Sequence, residues 1–192
     1  MKPMPTSPQH LPCSPLSFVF RALTHLLLGA LIIGWGVTPS TVHAADLEGS
    51  ISTDTTIGAG KTTVTGNVTV EPAATLTIDP GATLAFDPGV SLTVKGNLVA
   101  EGTASNLITF TSNADEPSSG DWNQIRFHPD AFPSSRLEHV LIQYASTGIY
   151  ADSHDAMTLY LEDITIKDVS GNGISVTNAG VKLNEEGGNA TI

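Results

Sequence analysis

VTVEPAATLTIDPGATLAFDPGVSLTVKG, residues 68–96, decides the fold. One short phrase recurs in it as VTVEP, LTIDP, LAFDP and LTVKG, starting at Val68, Leu76, Leu84 and Leu92. In each phrase two apolar residues flank a middle one, usually polar, which puts a pair of side chains on one face of a short strand. In the first three an acid then leads to proline, which cannot extend the strand and turns the chain. Three strand-and-turn units make about 24 residues, one circuit of a three-sided parallel β-helix. The spacing therefore predicts an all-β solenoid.

Outward from this stretch, the regular part runs over residues 62–111. The inward pairs read as Val68/Val70, Leu76/Ile78, Leu84/Phe86, Leu92/Val94, Leu98/Ala100 and Ile108/Phe110, with Thr69, Thr77 and Thr93 facing water. A circuit of about 24 stacks Leu92 over Val68, Ile108 over Leu84 and Phe110 over Phe86. A competing register of about 30 would match Gly66-Asn67 with Gly96-Asn97 and Glu71 with Glu101. The shorter circuit is preferred because it recurs further on, where Leu137–Ile142 and Leu161–Ile166 carry the same pattern. Gly148-Ile149 and Gly173-Ile174 follow with one extra residue between them, and Ala190-Thr191-Ile192 resembles Ile164-Thr165-Ile166. The last residue thus falls inside a strand, which predicts a chain truncated within a coil and continued by further β-helix coils in a longer protein.

Residues 112–135 interrupt the rhythm with a polar loop, a strand near Trp122 to Phe127 and a second loop holding Pro129 and Pro133. Insertions of this kind leave a solenoid at its corners, where binding residues tend to sit.

Residues 1–44 read as a secretory signal peptide. Arg21 precedes an apolar core from Leu23 to Val37, and Val42-His43-Ala44 supplies small residues at the expected cleavage site, leaving Ala45 first. The apolar core is short for a membrane span of about 20 residues. Secretion, to the periplasm, the cell surface or the medium, follows as the expectation, with no span left after cleavage. Residues 45–61, polar and rich in Ser, Thr and Gly, lead into the first coil and cap it; residues 62–192 form the β-helix domain.

All 19 acids lie after Ala44, while Lys2 and Arg21 lie before it. The later part is therefore strongly acidic, a balance that repels nucleic acid and anionic membrane. Its lack of cysteine, Cys13 being in the leader, excludes disulfides and thiolate metal sites from the domain.

VTGNVTVEPAATLTIDPGATLAFDPGVSLTVKGNLVAEGT, then ITFTS and GDWNQIRF, then LEHVLIQYASTGIYA and ITIKDVSGNGISV together resemble the right-handed parallel β-helix proteins of the pectate-lyase-like superfamily. The resemblance covers nearly everything after residue 62, and its motifs are core, turn and ladder residues. It implies the fold strongly and activity weakly, since the superfamily includes polysaccharide lyases and hydrolases as well as tailspikes and adhesins. Its lyases hold calcium on aspartates and use a basic residue on an outer face; neither set is matched in this sequence.

Several constellations could carry chemistry. Glu138, Glu162 and Glu186 recur at one circuit each, a carboxylate ladder with steps of about 4.8 Å that would suit calcium. A solvated ladder is the alternative, and no cofactor is otherwise expected. Glu71, Asp79 and Asp87 fall on successive faces and read as turn residues. Asp152, His154 and Asp155 form an acidic loop with one imidazole. Tyr150 and Tyr160 point outward by the alternation that Ile149 and Leu159 fix, and with Trp122 they are the candidates for stacking on sugar; for Trp122 the competing role is cover for a core end. Arg126, Arg136 and four lysines are the cations of the domain, with Lys167 clearly outward. These readings favour a non-catalytic extracellular module that binds a polysaccharide or glycan, mediates adhesion or serves as a scaffold. The alternative is a polysaccharide lyase or glycoside hydrolase.

Overall fold

A computed structural model describes residues 40–42, 46–131, 134–152, 158–177, 182–184 and 190–191. In chain order the strands are β1 (Ser40–Val42), β2 (Leu47–Ile51), β3 (Thr55–Ile57), β4 (Gly60–Val70), β5 (Thr75–Ile78), β6 (Ala82–Phe86), β7 (Leu92–Val94) and β8 (Asn97–Glu101). They continue as β9 (Ile108–Ser112), β10 (Ile125–Phe127), β11 (Arg136–Gln143), β12 (Ile149–Ala151), β13 (Thr158–Lys167), β14 (Ile174–Val176), β15 (Lys182–Asn184) and β16 (Ala190–Thr191).

Every pairing between these strands is parallel, and together they make three columns. The first stacks the ends of β2 and β4 with β7, β10, β12 and β14. The second stacks β1, β3, β5, β8, the starts of β11 and β13, and β15. The third stacks the starts of β2 and β4 with β6, β9, the ends of β11 and β13, and β16. The chain visits the columns in rotation, so the molecule is a parallel β-helix of about five turns. No helix occurs among the described residues.

Alternation builds the core. In β5 and β7 the buried residues are the apolar members of the repeat, with threonine between them half-buried on the outer face; β9 follows the same alternation and also buries Ser112. One continuous cluster runs from Leu47 to Ile166. Each Leu, Ile or Phe taken fully from water contributes about 1.5–3 kcal/mol, so a column of aliphatic side chains supports a fold that is poor in aromatics.

The corners of the regular part are β-turns closed by the acids of the repeat. Ala74 N donates to Glu71 O at 2.9 Å, Ala82 N to Asp79 O at 3.1 Å and Val90 N to Asp87 O at 3.2 Å. Glu71, Asp79 and Asp87 are therefore turn residues, as their spacing predicts. Gly96 closes a different corner: a Cβ there would run into the carbonyl oxygens of Glu71 and Ala74, so no side chain fits.

The circuit length holds in most places. Val68 pairs with Leu92, Val140 with Ile164 and Ile142 with Ile166, as expected, and the added residue before Gly173 leaves Ile149 on Ile174. Ala190 pairs with Ile164. The competing register is absent, since Asn97 pairs with Thr75. One expected register is corrected: Leu84 pairs with Phe110 and Phe86 with Ser112, not Leu84 with Ile108 and Phe86 with Phe110. The cause is a small loop in that circuit, where Thr103 and Asn106 exchange backbone hydrogen bonds at 3.1 and 3.0 Å. The shift still leaves the Phe86 and Phe110 rings stacked, with centroids 6.3 Å apart. The expected strand near Trp122 is also shorter, beginning at Ile125; Trp122 itself makes only an isolated bridge to Ala145.

The leader outside Ser40–Val42, the cleavage site at residues 43–45 and the last residue, 192, lie outside the described residues.

Candidate functional site

The later coils turn by another device. β11 and β13 each pass from the second column to the third in one register, and bend at His139 (φ 48°) and Asp163 (φ 49°), the one position where the ladder skips a pair. A second pair, Tyr144 (φ 64°) and Asp168 (φ 54°), repeats the left-handed backbone further along. Such a conformation costs a non-glycine residue about 1–2 kcal/mol. Its repetition one coil apart makes it a built corner, and it fixes where the outward side chains beside it stand.

Two arginines stand on the outside of these coils, Arg126 in the first column and Arg136 in the second. Arg126 in β10 is the direct partner of Tyr150 in β12, and Arg136 in β11 is the direct partner of Tyr160 in β13. The guanidinium carbon of Arg126 lies 5.8 Å from the centre of the Tyr150 ring, and that of Arg136 lies 5.9 Å from the centre of Tyr160. Both distances are in the range of a cation–π contact. Outward residues of a solenoid stack along its axis, so each tyrosine turns a ring face toward the coil that holds its arginine. Tyr150 and Tyr160 are half-buried, between Ile149 and Ala151 and between Leu159 and Leu161.

Carboxylates complete the setting. Asp152 Oδ2 lies 3.4 Å from Nη2 of Arg126, and its other oxygen accepts from Thr177 Oγ1 at 3.1 Å. Around Arg136 stand three acids in adjacent coils, since Glu138 pairs with Glu101 on one side and with Glu162 on the other. Arg136 Nη2 donates to Glu162 Oε2 at 3.2 Å. Its Nε lies 3.4 Å from Glu101 Oε1 and 3.6 Å from Glu138 Oε2, which is ion pairing without hydrogen-bond alignment. The expected Glu138/Glu162 ladder is thus real, but it has Glu101 as a third rung and a guanidinium in its midst. Glu186 lies outside the described residues. Among the described residues no group of three or more metal-binding side chains has the geometry to hold an ion.

His139 leans on the same ladder, with Nδ1 3.4 Å from Asp163 Oδ2 and Nε2 3.9 Å from Glu138 Oε1. Of the expected Asp152, His154 and Asp155 cluster, only Asp152 is described, and it serves Arg126. Lys167 is exposed at the end of β13, on the rung of Gln143.

Of its two competing roles, Trp122 takes core cover and not sugar stacking. It is fully buried, its ring stacks on Phe86 with centroids 4.3 Å apart, and its Nε1 donates to Gln143 O at 2.8 Å. A ring enclosed on its face and tied at its nitrogen cannot meet a sugar; it covers the core under the loop of residues 113–121.

Two features escaped sequence reasoning. Glu101 was hidden because the insertion of residues 112–135 lies between it and Glu138. The arginine–tyrosine pairs did leave a signal, since Arg126 precedes Tyr150 by the same interval that separates Arg136 from Tyr160, the interval of the repeat itself.

Residues 49–131 match the family model described as a pectate-lyase like beta helix domain. No curated protein and no solved structure matches the chain. The match covers less than half of the chain; over those residues the chain is similar to a pectate-lyase-like β-helix domain, in agreement with the three parallel columns. The matched stretch includes Trp122 and Arg126 and ends before Arg136, Tyr150 and Tyr160.

Proposed function

We propose that the chain is an exported, non-catalytic β-helix module that binds a neutral glycan at the cell surface or outside the cell, with its leader removed before Ala45. The observation that carries the reading is the commitment of both arginines. Each guanidinium stands against a tyrosine ring and is paired with carboxylates, Arg126 with Asp152 and Arg136 with Glu101, Glu138 and Glu162. A base or charge-stabilising group in polysaccharide cleavage has to reach the sugar. A guanidinium held this way serves the scaffold instead. The outer edges of Tyr150 and Tyr160, fixed by their arginines, offer rigid apolar and hydroxyl surface of the kind that sugars meet at low entropic cost. The acidity of the domain disfavours polyuronates.

The test is a panel of neutral and acidic polysaccharides, with and without calcium, scored for binding and for products. Binding to a neutral glycan without calcium is expected, weakened about fivefold by Tyr150→Ala or Tyr160→Ala, which corresponds to about 1 kcal/mol for each ring. Release of unsaturated oligosaccharides or new reducing ends would establish a lyase or hydrolase and overturn the proposal. Binding that requires calcium would move the site to the Glu138/Glu162 ladder.

A further inference from the structure

Asparagine is frequent at the corners of this solenoid, and with one exception the described corner carboxamides are held. Asn67 Oδ1 accepts from Ser91 N at 2.9 Å, Asn97 Oδ1 from Ser135 Oγ at 3.2 Å, and Asn113 Nδ2 donates to Asp87 Oδ1 at 2.8 Å. Asn123 Nδ2 donates to Gly89 O at 2.6 Å and Asn106 Nδ2 to Ser105 Oγ at 3.3 Å. Asn172 differs from all of these. It is exposed at the corner before β14, and its carboxamide makes no hydrogen bond among the described residues. It is also the one asparagine in the sequence that precedes glycine. The N–H of Gly173 donates to no backbone carbonyl among the described residues, whereas both carbonyls of the pair are engaged, Asn172 O by Gly148 N at 3.1 Å and Gly173 O by Ile149 N at 2.9 Å.

We propose that Asn172-Gly173 is a self-modification site, at which the chain deamidates and forms isoaspartate. The backbone nitrogen of Gly173 attacks Cγ of Asn172, a carbon–nitrogen bond forms, and the side-chain nitrogen leaves as ammonia with the proton that Gly173 gives up. Water then opens the cyclic imide at either carbonyl. Opening at the side-chain carbonyl gives aspartate; opening at the backbone carbonyl gives isoaspartate, with the chain now running through the former side chain. Water is the one co-reactant, and no electrons are exchanged. Glycine matters because it puts no Cβ in the way of the attack and bends freely into the ring.

The site matters to the fold because the corner has no slack. A Cβ on Gly148 would lie 2.6 Å from Gly173 O, so the two corners are in close contact. In isoaspartate the carbonyl of residue 172 that receives Gly148 N leaves the backbone as a free carboxylate, and the added carbon lies between Cα and the new linking carbonyl, so the acceptors of Gly148 N and Ile149 N lose their spacing. The modified chain therefore loosens the pairing of β12 with β14 while the earlier coils keep theirs, since neighbouring coils interact only pairwise.

The experiment is to age the purified protein at mildly alkaline pH and physiological temperature and map its peptides by mass. A gain of about 1 Da is expected first in the peptide containing Asn172, with isoaspartyl methylation of the same peptide, and is absent there in Asn172→Gln. A gain that arises first at another asparagine, or none at all, overturns the site. Backbone hydrogen exchange then separates charge from chain geometry. Exchange at Gly148 and Ile149 should be faster in the aged protein than in fresh Asn172→Asp, which adds the charge without the carbon. Equal exchange in the two overturns the structural consequence.

Discussion

The coils before the insertion and the coils after it turn corners in different ways. Between Val68 and Lys95 the chain turns at proline- and glycine-bearing β-turns whose acids close the hydrogen bonds, and the outer face carries threonine. Between Arg136 and Val176 the strands run through their corners at left-handed His139 and Asp163, and the outer face carries arginine, tyrosine and glutamate. The first device depends on residue types that announce turns; the second depends on ordinary residues held in a costly conformation by the coils on either side. A turn of the first kind is written locally. A corner of the second kind is a property of the stack.

Trp122 joins the two regions, since its ring lies on Phe86 of β6 and its nitrogen is bound to Gln143 of β11. Trp122→Ala should therefore have the largest effect, about 3–5 kcal/mol from the cavity and the lost stacking. Urea unfolding measures it. Two separate transitions in the variant, where the parent shows one, would demonstrate that this residue is what couples the early coils to the late ones. A loss below about 1 kcal/mol would mean that the coils join through the backbone columns alone.

This contrast also explains what could be read from the sequence. The eight-residue phrase carries strand, turn and column at once, so the early coils were legible from Leu76, Leu84 and Leu92 and the acids after them. The two-residue slip at Phe110 was not, because Thr103 and Asn106 turn the chain without proline and with a glycine, Gly102, that reads as any other corner. In the late coils the inward residues Val140, Ile142, Ile164 and Ile166 were legible, whereas the outer face was read one residue type at a time. Arg136 becomes intelligible only when Glu101 is placed beside Glu138, and an insertion of variable length hides that relation from any fixed spacing.

The charged ladder should give the next largest effect. Arg136→Met keeps most of the apolar stem and removes the charge from among Glu101, Glu138 and Glu162. Arg136 is about one-third exposed, so solvent screens the loss to roughly 1 kcal/mol at low salt. It should shrink as salt rises, because the carboxylates left behind repel through water. Arg126→Met, with Asp152 as its ion-pair partner, should cost less and depend less on salt. Equal salt slopes for the two variants would show that the three carboxylates do not act on Arg136 as a group.

The smallest expected effect tests the corner itself. Asp168 is exposed, with φ at 54°, and among the described residues no hydrogen bond or ion pair ties its side chain. Asp168→Gly removes the left-handed penalty of about 1 kcal/mol, part of which is offset by the greater freedom of glycine in the unfolded chain, leaving a gain of roughly 0.5 kcal/mol. The same change in the early coils has the opposite sign: Thr93→Gly, in the extended strand β7, should lose about 1 kcal/mol because glycine weakens a strand and leaves no side chain to pack in the column. Urea titrations of both variants decide the matter by sign. A loss on Asp168→Gly comparable to that of Thr93→Gly would show that the left-handed corner is not strained, and that the late coils turn by a preference of their own sequence after all.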